Sequence, residues 1–188
     1  MFIKNVVIDK NKIQSVVNNR SFLTYESLKT EWDEVCALSR EMDMEPIQNK
    51  EFNFYEMYDL SFSTSLFDLS LVELEFIRDN NLFNLDENNI QDLRCKIILD
   101  KKINDYKSTL DGLQRFLQNG NLGSYFSNFG DLFHMSAQGL KITKILDLDN
   151  DSVELTPEGV KLKECIKNIK NLHTENFKNE HRGFNTKK

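Results

Sequence analysis

KITKILDLDNDSVELTPEGVKLKECI, residues 141–166, is the stretch on which the reading of the fold turns. A short apolar run at 142–148 meets a polar tip, Asp149-Asn150-Asp151-Ser152, and a second short run follows at Val153 and Leu155. Two β-type runs around an Asx-rich tip predict a hairpin. Thr156 before Pro157 predicts a helix start, because the hydroxyl can cap the first free N–H groups and proline suits the first helical position. In the helix that follows, Val160, Cys165 or Ile166, Ile169 and Leu172 form the expected buried stripe.

Working outward, Asn119-Gly120-Asn121-Leu122-Gly123 is the strongest punctuation in the chain and predicts a boundary. Between it and the hairpin, 124–140 reads as one or two short helices with Gly130 and Gly139 near their ends. Upstream, 87–118 reads as helical, with a break or exposed turn at 100–102. Ser70-Leu71-Val72-Glu73 has the spacing of a capping box and predicts a helix through about Asn80, and Asp86 can cap the next element. Residues 45–69 are rich in aromatics and fit neither period, so an irregular segment or short strands packed on a helix are expected. Thr24 predicts a helix running to about Met44, with Leu28, Trp32, Val35, Ser39 and Met42 on one stripe. At the start, 2–8 is β-like, and 13–17 is its partner or a helical turn. Residues 174–188 read as a basic, polar tail.

With 39% hydrophobic residues and 14 phenylalanines among 188, the chain can build a core. The net charge of −6 hides a polarity: residues 160–188 carry eight Lys/Arg against three Glu, while 21–100 carry 18 Asp/Glu against six Lys/Arg. An acidic body repels phosphate and a basic end attracts it, so any nucleic-acid contact is expected to be local. The acidic face suits a basic protein partner equally well, and the simplest account of both is a solvated surface. Cys36, Cys95 and Cys165 are odd in number and far apart, which is neither a disulfide framework nor a zinc cluster. No run approaches the ~18 apolar residues of a spanning helix, and the charged start does not resemble a signal peptide, so a cytoplasmic protein off the membrane is expected.

Motifs of known chemistry are missing: there is no P-loop, no GxGxxG after a strand, no GxSxG and no HExxH. His134, His173 and His181 stand apart from one another and from the cysteines. Asp147, Asp149, Asp151 and Glu158 fall at positions 1, 3, 5 and 12 of a calcium loop. Ser152 replaces the glycine of the sharp turn, and Pro157 opposes a helix–loop–helix, so a solvated tip is the better reading. No catalytic residue, metal ligand or cofactor is assigned.

The order helix, helix, hairpin, then LTPEGVKL resembles a winged helix, in which the wing's second strand runs into an L-T-x-x-G-x-x-L segment. Leu155, Thr156, Gly159 and Leu162 match that segment, with 149–152 as the wing tip. The resemblance covers about residues 103–172 and implies a mainly α fold with small β (α+β). It divides the chain into an acidic helical region (1–118), a winged-helix-like module (119–173, its first helix beginning near 103) and the tail (174–188). The module departs from DNA-reading winged helices: 124–140 contains no Lys or Arg, and the wing tip is acidic. In that it is similar in character to the small winged-helix subunits that sit on the kleisin of SMC-like ATPases, in chromosome maintenance and in bacterial antiviral defence. The expectation is a non-enzymatic accessory subunit of a DNA-handling complex, bound to a protein partner in a hetero-complex or homodimer. Trp32, Phe52, Phe54, Tyr55 and Tyr58 are the candidate protein interface; Lys161, Lys163, Lys167, Lys170, Lys178 and Arg182, with Lys187 and Lys188, are candidates for non-specific DNA-backbone contact. A winged-helix transcriptional regulator and a small metal-dependent nuclease or hydrolase are the alternatives.

Overall fold

The computed structural model describes residues 2–42, 51–119 and 121–184, with side chains through residue 178. Among the described residues the chain is all-α. Among them eight helices follow one another: α1 (Lys10–Arg20), α2 (Tyr25–Glu41), α3 (Phe54–Ser65), α4 (Leu71–Asp79), α5 (Ile90–Gln118), α6 (Leu122–Ser127), α7 (Leu132–Leu146) and α8 (Pro157–Phe184). The β structure among these residues is one isolated antiparallel bridge, Ile3 to Leu155. No helix of the described residues is long and apolar enough to cross a membrane.

This overturns both the α+β expectation and the winged-helix resemblance, because the wing does not form. The run at 142–148 is not a strand: it ends α7, where Gly139, Ile142, Ile145 and Leu146 are buried at helical spacing. Asp147 then takes the left-handed conformation (φ 52°), and the Leu148 N–H donates to the Thr143 carbonyl at 2.9 Å, closing the helix in Schellman fashion. The polar tip folds into successive turns: the Asn150 N–H donates to the Asp147 carbonyl (3.1 Å) and the Val153 N–H to the Asn150 carbonyl (3.0 Å). The second run does become extended, but its partner is the N-terminal segment. The Lys4 N–H donates to the Glu154 carbonyl (2.8 Å) and the Thr156 N–H to the Phe2 carbonyl (3.1 Å). The Asn5 side chain adds two more bonds, to the Ser152 carbonyl and from the Glu154 N–H.

LTPEG has a different meaning here. Thr156 Oγ1 accepts from the Gly159 N–H at 3.1 Å, so the helix start stands where the sequence places it. A Cβ on Gly159 would lie 1.9 Å from the Phe2 carbonyl oxygen, so glycine is required for the N-terminal segment to press against the first turn of α8.

Other expectations also change. Residues 54–65 of the aromatic segment form α3, started by Asn53, whose side chain accepts from the Tyr55 and Glu56 N–H groups; 45–50 lie outside the described residues. Helix α5 runs through 100–102 unbroken, and 13–17 belong to α1. Thr24 caps α2 with Ser27 in a reciprocal box, while the helix end expected near Met44 lies outside the described residues. Gly120 of the punctuating stretch also lies outside them, but α5 ends at Gln118 and Asn121 caps α6.

The chain forms two compact units that interleave along the sequence. Unit 1 comprises residues 1–8, 70–72 and 104–188; unit 2 comprises 9–69 and 73–103. In unit 2, α3 packs on α1 and α2, and Leu28, Phe62, Leu66, Leu69, Leu74, Ile77 and Ile103 are fully buried. Burying each such side chain contributes roughly 1.5–3 kcal/mol. In unit 1, α7 and α8 pair antiparallel, with Gly139 facing Ile166 and Phe133 near His173. Phe126, Ile142, Ile145, Leu148 and Leu162 complete that core.

Candidate functional site

Three surfaces carry chemistry, and each begins with the spacing of its residues. On α8 the buried side is Leu162, Ile166 and Ile169. At about 100° per residue, Lys163, Lys167, Lys170 and Lys178 fall within one arc of roughly 80° on a single flank of that side. All four are exposed, and among the described residues none is in an ion pair. The Lys163 ammonium donates to the Leu148 carbonyl at 2.5 Å, which fixes its position without neutralising it. Lys161 lies on the other flank, in a cleft it shares with Glu158 and Cys165. The structure thus brings four of the six candidate DNA contacts together and sets Lys161 apart. The Arg182 side chain, and Lys187 and Lys188, lie outside the described residues.

The aromatic candidates divide differently. Trp32, Phe52 and Phe54 are half-buried, and Tyr25 joins them edge-to-face with Phe52, ring centroids 5.4 Å apart. Tyr55 is exposed and carries the Arg94 guanidinium 5.2 Å from its ring, with Arg94 also held by Asp59. Tyr58 is inside unit 2: its hydroxyl accepts from Arg20 Nε at 3.3 Å and lies 3.4 Å from Cys95 Sγ. Burial, followed by the contact with Cys95, pushes its phenol up to about 12. Arg20 Nη1 also donates to the Phe83 carbonyl (2.9 Å), and Nη2 pairs with Asp92. This buried network holds α1, α3 and α5 together, and it is structural.

The surface that sequence reasoning missed is on the first half of α5. Ile90, Leu93 and Ile97, at i, i+3 and i+7, are 63%, 41% and 58% exposed. The buried stripe is Cys95, Leu99, Ile103 and Tyr106. Both stripes have a helical period, so no sequence signal separates the covered one from the bare one. A row of exposed aliphatics beside Tyr55 is the composition of an interface core.

The remaining candidates are quiet. His134 bonds Asp131 at 2.8 Å; that aspartate's carboxyl is held below the usual range by the His134 backbone N–H and then by its ring. Burial pushes the Cys95 and Cys165 thiols up, away from the reactive thiolate. Asp147, Asp149, Asp151 and Glu158 do not converge, and among the described residues no group of three His, Cys, Asp or Glu side chains is placed to hold a metal. A cavity of about 430 Å³ in unit 1, lined mainly by apolar side chains of 2–7, α5 and the end of α7, is large enough for a small ligand. Comparisons with protein-family models, curated proteins and solved structures give no match.

Proposed function

We propose that this chain is a non-enzymatic accessory subunit of a larger DNA-handling complex, working in the cytoplasm. It holds a protein partner through the bare row of α5 and touches DNA through α8. The observation that carries the reading is the row Ile90, Leu93, Ile97 beside Tyr55: exposed aliphatics at helical spacing bring no benefit to an isolated surface and gain when a partner covers them. Arg94 and Asp59, paired at the edge of Tyr55, supply the polar rim that such patches have. The narrower setting of an SMC-like ATPase complex, and the reading as a winged-helix regulator, both rested on the winged-helix comparison and are not carried forward.

The test is isolation of the tagged chain from its native cells, with the mass of the assembly measured in solution. A stoichiometric partner is expected. Ile90→Asp with Ile97→Asp should release it while circular dichroism and the melting temperature hold, since both side chains are exposed. A chain that stays alone, or a partner that survives both substitutions, defeats the reading.

A further inference from the structure

We infer that the lysine flank of α8 is a seat for the phosphate backbone of duplex DNA, engaged without regard to base sequence. This rests on the DNA-handling role proposed above and supplies its contact. Lys163, Lys167, Lys170 and Lys178 are spaced four, three and eight residues apart, so they run along about 22 Å of one helix flank. Thr174, the remaining residue of the flank, turns its hydroxyl back to the Lys170 carbonyl (2.9 Å) and adds no charge. Glu164 and Glu175 lie outside the arc.

The shape of this charge selects the partner. It is a line, and a duplex presents a line of about one phosphate charge per 1.7 Å of axis. An anionic membrane would need an apolar face beside the lysines to insert, but Leu162, Ile166 and Ile169 are buried. The exposed apolar side chains of α8, Val160, Leu172 and Phe177, are scattered around the helix, where insertion takes a whole face. Lysine is a point charge suited to phosphate, and the flank holds no arginine, asparagine or glutamine to read base edges. Lys163 stays competent although it is anchored to the Leu148 carbonyl, because an ammonium has three donors and that bond uses one. Its tether sets the register of the flank at the end nearest α7.

Duplex binding by the purified full-length chain is measured by fluorescence anisotropy from 50 to 200 mM NaCl, using two 20-base-pair duplexes of unrelated sequence. Each neutralised phosphate contributes about −0.9 to the slope of log K against log salt, so four lysines contribute about −3.6. Replacing all four lysines (K163Q, K167Q, K170Q, K178Q) should flatten the slope by about 3.6, equally for both duplexes, with the helical circular dichroism intact. K161Q should leave it unchanged. The inference is overturned if the quadruple variant keeps its slope, if K161Q loses as much as K170Q, if the two duplexes differ tenfold in Kd, or if the chain binds vesicles of 70:30 phosphatidylcholine and phosphatidylserine but not duplex. Failure of the native chain to bind either duplex, with its protein partner retained, sinks the seat alone. Salt-sensitive binding by a chain without a partner sinks the subunit reading and leaves the seat standing.

Discussion

Unit 2 and the last helix of unit 1 use positive charge in opposite ways. In unit 2, Lys12, Arg20, Lys29, Arg78, Arg94 and Lys96 each meet a carboxylate of the same unit. On α8, Lys163, Lys167, Lys170 and Lys178 meet none among the described residues. Six cations of the acidic body are therefore locally neutralised, and the four lysines of the α8 flank are not. Net charge along the sequence suggests one protein with two poles. The pairing shows that the α8 flank has positive charge left to offer to an anionic ligand.

The contrast predicts that cations in the two regions differ in what they contribute to stability, and Arg20 should show it most. Arg20→Ala removes partners from Tyr58, the Phe83 carbonyl and Asp92 together. Leaving those groups in a half-buried setting should cost about 2–4 kcal/mol in denaturant unfolding. Lys170→Ala on α8 should change stability by less than about 0.5 kcal/mol. Equal effects from the two substitutions would erase the distinction between a cation that holds the fold and one free to bind.

Gly159→Ala tests the other side of the comparison, since the N-terminal segment of unit 1 is held to the start of α8 by close backbone approach. A Cβ placed 1.9 Å from the Phe2 carbonyl cannot be accommodated by a side-chain shift, because the obstacle is backbone. Displacing Phe2 should cost about 1–3 kcal/mol and expose the Thr156 and Lys4 N–H groups to faster hydrogen exchange. An unchanged melting temperature would mean that the N-terminal segment is not part of the unit 1 core.

How much of this was legible follows from the distance over which each signal acts. Caps act within four residues, so Thr24 and Thr156 mark the starts of α2 and α8 from the sequence alone. The hairpin expected at 141–156 does not form, and the sequence could not exclude it, because a seven-residue apolar run suits a strand or the last turns of a helix. What decided it was Gly139, outside the run but in phase with Ile142 and Ile145, together with an extended partner segment about 150 residues away at 2–4. Asn53 is a good helix cap, yet the crowded aromatics after it hid the period of α3. At the candidate sites, the lysine flank of α8 was legible in position, and helical geometry alone suffices to exclude Lys161. The bare row of α5 was not legible, because burial depends on neighbours and not on period.

The smallest effect belongs to the ionic contact at the start of α7, in unit 1 but exposed. Asp131 accepts from the His134 N–H at 3.0 Å and bonds the same residue's ring. Its carboxyl is held below the usual value in the folded chain, first by that backbone bond and then by the ring. A lowered folded pKa means that the contribution is complete above the unfolded value, near 3.9, and fades as pH falls through the lower folded one. The melting-temperature gap between the native chain and Asp131→Asn, which keeps a capping oxygen but loses the charge, should therefore be small and should close below about pH 4. A gap that instead stayed open below about pH 3 would show that the charge of Asp131 contributes nothing at this cap. The exposed contact of unit 1 would then be idle, whereas the half-buried pair of Arg20 and Asp92 in unit 2 holds its fold.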